Sequence, residues 1–245
     1  KQRITTLGLD GVEIYRQYLH DYPKEWQILD QLCRVTVTRF NRDKVVFQRL
    51  VEKILPDIII PALNNNFSVI RVWSAGCASG EEPYTLKLYW EYELAVRFPA
   101  IKLNILATDV NKYLLQRAKH ACYQYSSIKR LPEEWRERSF IENGNQYCLN
   151  PDYQQGIDFR FHDIREPLQE ESFHIILCRN LAFTYFDEIL RQKVLLFLYD
   201  VLRPDGFLIL GAHEHLGDHP AGFSVYSKTL GIYQKQKADF SSKEE

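Results

Sequence analysis

A turn of small residues runs straight into two acids at residues 73–84, which read Trp-Ser-Ala-Gly-Cys-Ala-Ser-Gly-Glu-Glu-Pro-Tyr. Gly76 and Gly80 remove side chains where a ligand has to approach the backbone closely. Pro83 suits the first turn of a helix, whose free N–H groups and positive dipole end would face the same loop. A phosphate-binding loop of this general kind wants positive charge, usually a lysine. This loop instead ends in Glu81 and Glu82, which repel a pyrophosphate and attract a cation or an ammonium group. The expected ligand is a cationic nucleoside. S-adenosylmethionine, with a sulfonium and an amino group, fits those charges better than a dinucleotide does.

The flanking patterns supply the elements that would hold such a loop. Ser68 to Ser74 is rich in β-branched and aromatic residues and reads as a buried strand entering the turn. A helix from Pro83 to about Arg97, a strand from Lys102 to Thr108 and a helix from Lys112 to Ala121 follow, the βαβ alternation that implies a parallel sheet. Upstream, Gly8 to Leu63 carries apolar residues at helical spacing, and Asn64-Asn65-Asn66 breaks that pattern. The expected organisation is a helical N-terminal domain over 1–65 and a ligand-binding α/β domain over 66–245. Residues 123–158 interrupt the alternation with a short helix from Pro132 to Phe140 and a hairpin turn at Asn143-Gly144-Asn145, which marks an insertion. Strands resume at Ile157 to Phe161 and His174 to Cys178. A helix over Asp187 to Leu202 then leads through the turn Arg203-Pro204-Asp205-Gly206 into a strand from Phe207 to Leu210. Two short strands, Ser224 to Lys228 and Gly231 to Lys235, predict an antiparallel hairpin closing the sheet.

Composition excludes several classes. With 31 Lys plus Arg against 32 Asp plus Glu, the chain has no bulk positive charge with which to bind nucleic acid. No apolar run approaches the roughly 20 residues of a membrane span. Cys33, Cys77, Cys122, Cys148 and Cys178 are odd in number and scattered, and predict neither a disulfide framework nor a zinc site. A soluble, cytoplasmic monomer is the expectation.

Open α/β sheets bind ligands outside the carboxyl ends of their strands, which selects Ser74 to Glu82, with Ala75 and Gly76, then Asp109, Asp163, Asn180 and Gly211. Asp109, closing the second strand, is placed to accept both hydroxyls of a ribose with one carboxylate; the alternative is an N-cap for the helix near Lys112. Asp163 could accept from an adenine amino group with Ile164 against the ring, or cap the turn toward Pro167. Cys77 and Cys178 read as packed small side chains. The segment Gly211-Ala212-His213-Glu214-His215, with Asp218 and His219, reads as a polar rim at the mouth of a site. Metal ligation by these groups, or a histidine acting as general base, are its alternatives.

In its motifs the chain resembles the CheR family, chemoreceptor glutamate O-methyltransferases that use S-adenosylmethionine. The matching strings are Arg71-Val72-Trp73-Ser74-Ala75, Gly80-Glu81-Glu82-Pro83-Tyr84, Ala107-Thr108-Asp109, Cys178-Arg179-Asn180, Tyr185-Phe186-Asp187 and Leu202-Arg203-Pro204-Asp205-Gly206. They span nearly the whole chain in one order, and include Glu25-Trp26 and the Thr38 to Arg42 segment upstream. The resemblance implies a Rossmann-like class I methyltransferase fold, a mostly parallel sheet with an antiparallel C-terminal hairpin, preceded by a small all-helical domain. It implies that Glu82 holds the cofactor's amino group, Asp109 the ribose, and Asp163 with Ile164 the adenine end. Asn180 and Leu181 would contribute from the fourth strand, and Thr36, Thr38 and Arg42 would fold over the cofactor. Arg42 and Tyr185 would place the methyl acceptor.

The chain departs from the family at several positions, several of them bearing on the acceptor. Leu-Ala-Phe-Thr separates Asn180 from Tyr185, one residue more than usual, so Tyr185 is expected on a bulge or pointing elsewhere. Thr36 and Asp163 stand where asparagine is common, and Gly-Ala-His-Glu-His replaces Gly-His-Ser-Glu. The acceptor is therefore read as a protein carboxylate on a receptor-like helix or, alternatively, a small molecule; a module that binds the cofactor without catalysis is the third reading.

Overall fold

The computed structural model describes residues 2–26, 28–29, 38–64, 67–217 and 222–236. It forms two compact units, residues 1–37 and 38–245. In the first, helices α1 (Gln2–Thr6) and α2 (Val12–Asp21) are followed by the buried Glu25. That carboxylate accepts Arg3 Nε at 2.7 Å and Nη2 at 2.8 Å, and the Tyr15 hydroxyl at 3.0 Å. Paired in this way, the charge is stabilised where an isolated one would not be.

The second unit is built on a seven-stranded sheet. Its strands are β1 (Val69–Ala75), β2 (Lys102–Asp109), β6 (Ile157–Phe161), β7 (Phe173–Cys178), β8 (Leu202–Leu210), β9 (Phe223–Ser227) and β10 (Ile232–Lys235), in the order β6-β2-β1-β7-β8-β10-β9. Only β10 runs against the rest, pairing antiparallel with β8 and β9. The mostly parallel sheet and its antiparallel C-terminal hairpin match the sequence reading. The chain winds outward from β1 through β2 to β6 and then returns to β7 on the other side of β1. The strand order therefore reverses between β1 and β7, where open sheets of this type form their ligand crevice.

Strand alternation divides the core between the two faces of the sheet. Ile70, Val72, Ile105, Ile175, Leu177, Phe207 and Ile209 share one apolar cluster, whereas Trp73, Ala75, Leu106, Ile176, Cys178, Leu208 and Leu210 share the other. On the first face lie α3 (Lys44–Arg49) and α4 (Leu55–Asn64), joined by a π-helical turn over Leu50–Ile54. Phe40, Phe47, Leu50, Ile54 and Ile59 are all in the first cluster, so residues 38–64 are packed into the same unit as the sheet.

The helix after β1, α5 (Glu81–Tyr89), opens two residues earlier than its proline suggests. Gly80 at φ +91° makes the turn, and both glutamates enter the first helical turn, where the dipole favours acids. Helix α6 (Lys112–His120) follows β2. The insertion is a small antiparallel sheet of β3 (Cys122–Tyr123), β4 (Phe140–Asn143) and β5 (Gln146–Leu149), with α7 (Tyr125–Ile128) and α8 (Glu133–Ser139) between β3 and β4. The predicted hairpin turn is present, with Gly144 at φ +59°.

Two sequence expectations are corrected. The turn at Arg203–Gly206 lies inside β8. Pairing with β7 jumps from Phe173–Leu202 to Ile175–Phe207, so the turn is a bulge in a strand that has already begun at Leu202. The cysteines are not all free thiols, because Cys122 and Cys148 are joined by a disulfide. Their separation of 26 residues carries no spacing signal, and only the β3–β5 register brings them opposite each other.

Candidate active site

The turn after β1 is held open from below. Gly76 N–H and Cys77 N–H both donate to Thr108 O, at 2.8 and 2.9 Å, and Ala78 N–H donates to Asp109 Oδ2 at 2.9 Å. Gly76 takes φ +76°, and a Cβ there would meet the Leu181 side chain at 2.7 Å. Glycine is thus required twice over at this position, for conformation and for the approach of the loop after β7. Gly80 is similarly confined by Ala118 and by the rings of Tyr84 and Tyr123. The Tyr123 hydroxyl donates to Ser79 O at 2.7 Å, tying the turn to the insertion.

Asp109 holds the other side of the turn. Its Oδ1 accepts Asn111 N–H at 2.8 Å while its Oδ2 accepts from Ala78. The N-cap of α6 is Asn111, whose side chain accepts from Tyr113 and Leu114 N–H. The alternative role weighed for Asp109 is therefore filled by its neighbour, and its carboxylate stays beside the glycine turn.

The two glutamates separate in function. Glu81 is buried, accepts Ser79 Oγ at 2.8 Å and Ser127 Oγ at 3.3 Å, and its carboxyl is raised above the usual range by that burial. It braces the turn from behind. Glu82 keeps 17% of its side chain exposed; its Oε1 accepts Ser74 Oγ at 2.8 Å and its Oε2 accepts Arg179 Nη1 at 3.1 Å. The Cys77 and Cys178 thiols are both pushed up by burial, so neither is a thiolate nucleophile at neutral pH.

Arg179 was given no role in the sequence reading, although it stands inside the Cys-Arg-Asn string. Its side chain is only 3% exposed, it lies over the Phe47 ring, and besides Glu82 it donates through Nη2 to Asp43. The guanidinium thus joins the segment before α3 to the first turn of α5. Next to it, Asn180 adopts φ +54°, and its Oδ1 accepts from Arg42 Nη2 at 3.4 Å. Thr38, in the same segment, is half-buried, and Thr36 lies outside the described residues.

Beyond Asn180, α9 (Ala182–Tyr185) is a single turn, and Tyr185 is 65% exposed. The extra residue in this loop has an address. Thr184, the last residue before Tyr185, donates through its hydroxyl to Glu214 at 2.6 Å. Glu214 itself is corrected by the structure: it is 5% exposed and faces inward, whereas His213 and His215 are exposed. Among the described residues no group of three or more metal-ligating side chains converges; Asp218 and His219 lie outside them.

At the end of β6, Ile164 is buried in the cluster that contains Trp73 and Ala75. The Asp163 carboxylate is held below the usual range by Arg165, which donates through Nε at 2.9 and 3.0 Å to its two oxygens and through its backbone N–H at 3.0 Å. The turn-forming reading of Asp163 is thus realised, with the carboxylate at the edge of the crevice. Glu82 and Asp109 thus lie at the two ends of the glycine turn beside the strand-order reversal, while Asp163, paired with Arg165, follows the edge strand β6. Such a site favours a nucleoside carrying positive charge over one carrying phosphates.

A family profile described as CheR methyltransferase, SAM binding domain, matches residues 36–232. The chain belongs to the CheR methyltransferase family. Among curated relatives it is similar to a chemotaxis protein methyltransferase of Listeria innocua, 32% identical over 90% of this chain and 82% of that one. It is also similar to chemotaxis protein methyltransferase 2 of Vibrio cholerae, 29% identical over 90% of this chain and 77% of that one. Like its family, the chain is an S-adenosylmethionine-dependent methyltransferase with a Rossmann-like sheet. Among the described residues no helix is long and apolar enough to cross a membrane.

Proposed function

We propose that this enzyme methylates a carboxylate on a protein, in the cytoplasm, with Arg42 orienting the acceptor. The observation that carries the proposal is the junction of Arg42 with Asn180 at the strand-order reversal, beside the Glu82–Arg179–Asp43 bridge and across the glycine turn from Asp109. It supports reading Arg42 as the cation for the acceptor, near the acids that suit the cofactor.

In this reading Glu82 takes the amino group of the cofactor, and the Asp109 carboxylate accepts from the two ribose hydroxyls. Ala75 and Gly76 offer backbone at close approach, Asp163 and Ile164 take the adenine end, and Asn180, Leu181 and Thr38 enclose the rest. The cofactor, when bound, supplies an electrophilic methyl group on a sulfonium. A carboxylate acceptor is already ionised at neutral pH, so the chain need not provide a general base. Its residues have to align the acceptor and exclude water, and effective molarities of roughly 10⁵–10⁸ M show how much such alignment can contribute. Arg42 can present paired N–H donors to a carboxylate, and Tyr185, which is exposed, would contact the segment carrying it. The family members named above are chemotaxis methyltransferases, which favours a receptor helix as the carrier of the acceptor.

The test is transfer of labelled methyl groups from S-adenosylmethionine into a cell extract, separated into protein and small molecules. Label in the protein fraction that disappears with Arg42→Ala, while S-adenosylhomocysteine still binds that variant, supports the proposal. Label confined to small molecules would replace the acceptor assignment, and no transfer with intact binding would mean a non-catalytic module.

A further inference from the structure

Glu214 accepts four hydrogen bonds, three from the loop after β7 and one from its own turn. Its Oε2 takes Asn180 N–H at 2.6 Å and Gly211 N–H at 2.7 Å; its Oε1 takes Leu181 N–H at 3.1 Å and Thr184 Oγ at 2.6 Å. The acid closes on its own turn, since Glu214 N–H also donates to Gly211 O at 2.9 Å. Two donors on each oxygen match what an ionised carboxylate offers, because it accepts on both oxygens and donates nothing. An amide in its place would turn an NH2 group toward two of these donors. Gly211 makes the approach possible: a Cβ there would lie 2.8 Å from Glu214 Oε2 and 2.9 Å from Asn180 Oδ1.

We propose that Glu214 is a positioning residue, which fixes the Asn180–Thr184 loop in its strained conformation and thereby sets Asn180 against Arg42 and Leu181 against Gly76. Asn180 at φ +54° is uncommon for a residue with a side chain and persists where surrounding bonds over-determine it. Glu214 supplies those bonds from the end of β8, holding both backbone N–H groups that lead into α9. The Thr184 hydroxyl adds the last bond, which gives the additional residue of this loop a purpose. With the loop held, the Leu181 side chain closes on the glycine turn and the Asn180 oxygen faces the Arg42 guanidinium. The role rests on the reading of this loop as part of the S-adenosylmethionine site.

The experiment compares wild type with Glu214→Gln, Gly211→Ala and Thr184→Val by titration with S-adenosylhomocysteine, thermal unfolding, and amide proton and nitrogen NMR. In wild type, the Asn180, Leu181 and Gly211 amide protons should resonate downfield, as donors to one carboxylate. In Glu214→Gln they should move upfield while the amides of β1 and β2 stay in place, and affinity should fall by about tenfold or more, the order that follows when charge-assisted bonds are lost. Gly211→Ala, which keeps the charge but displaces it, should do the same; Thr184→Val, which removes one bond of the four, should shift Leu181 and weaken binding by a smaller factor. Glu214→Gln with wild-type amide positions and wild-type affinity would overturn the proposal. Should that variant not fold, Thr184→Val with unchanged Leu181 position and affinity would overturn it equally. Wild-type protein that does not bind S-adenosylhomocysteine would refute the site reading instead, and the amide positions would still decide whether Glu214 holds the loop.

Discussion

Glu82→Gln is the substitution that isolates the charge on which cofactor selection rests. Glutamine has the shape of glutamate, and the two contacts of this side chain can both survive the change. The carbonyl oxygen can accept from Arg179 Nη1, at 3.1 Å in the native protein, while the NH2 group turns to Ser74 Oγ, which sits at 2.8 Å and can act as acceptor. The variant should therefore fold, and the guanidinium keeps Asp43 as an ionised partner. What is lost is the negative charge facing the amino group of the ligand. A hydrogen bond to a charged group contributes about 1.5–3 kcal/mol, and the low exposure of Glu82 limits its screening by water. Affinity should fall by about 10- to 150-fold. S-adenosylhomocysteine is the right probe for calorimetric titration, since it keeps the amino group and lacks the sulfonium. An affinity within twofold of wild type, in a variant with unchanged thermal stability, would refute the assignment of Glu82 to the amino group.

Further outcomes follow from the charges around the sheet. Arg179→Met should cost about 2–4 kcal/mol in urea unfolding, because it deletes two charge-assisted bonds and leaves Glu82 with Ser74 alone and Asp43 with only Arg42 at 4.0 Å; both acids can partly rehydrate, which keeps the loss below that of a fully buried pair. A loss under about 1 kcal/mol would show that the bridge is only ornamental to the fold. His174 accepts Arg71 N–H on Nδ1 at 3.0 Å, and burial, with Arg203 and Arg71 nearby, lowers it to about 4. The unfolded chain then binds the proton first, so its contribution to stability is intact above about pH 6.5 and is lost as pH falls from there toward 4. Unfolding free energies measured across that window should drop more steeply for wild type than for His174→Asn, which keeps an acceptor for Arg71 and does not titrate. Parallel slopes would contradict the placement of this histidine.

The parts of this fold legible in the sequence are those with a local cause. Parallel strands buried on both faces announce themselves as apolar runs, and the expected strand from His174 to Cys178 matches β7, whose six residues are all buried, for that reason. Asn143-Gly144-Asn145 fixed the hairpin of the insertion, and the glycine turn with its acids pointed to the ligand class. Long-range pairings left no such trace. Arg179 reaches Asp43 across 136 residues, and Cys122 meets Cys148 only through strand register. Glu214 was misjudged because its neighbours are exposed histidines. A lone acid between two of them reads as rim, and only the tertiary turn at Gly211 sends it inward against Asn180. The bulge in β8 was read as a turn because Pro-Asp-Gly has the same local preference in both settings.

The central claim is that the acids at the switch point hold S-adenosylmethionine while Arg42 presents a carboxylate to it. Treatment of the enzymatically labelled protein with mild alkali tests this most directly, because carboxyl methyl esters hydrolyse readily while methylated nitrogen and sulfur do not. Release of the label as volatile methanol is the predicted result. Label that stays on the protein through alkali would contradict the account of the acceptor, whatever the fate of the cofactor assignments.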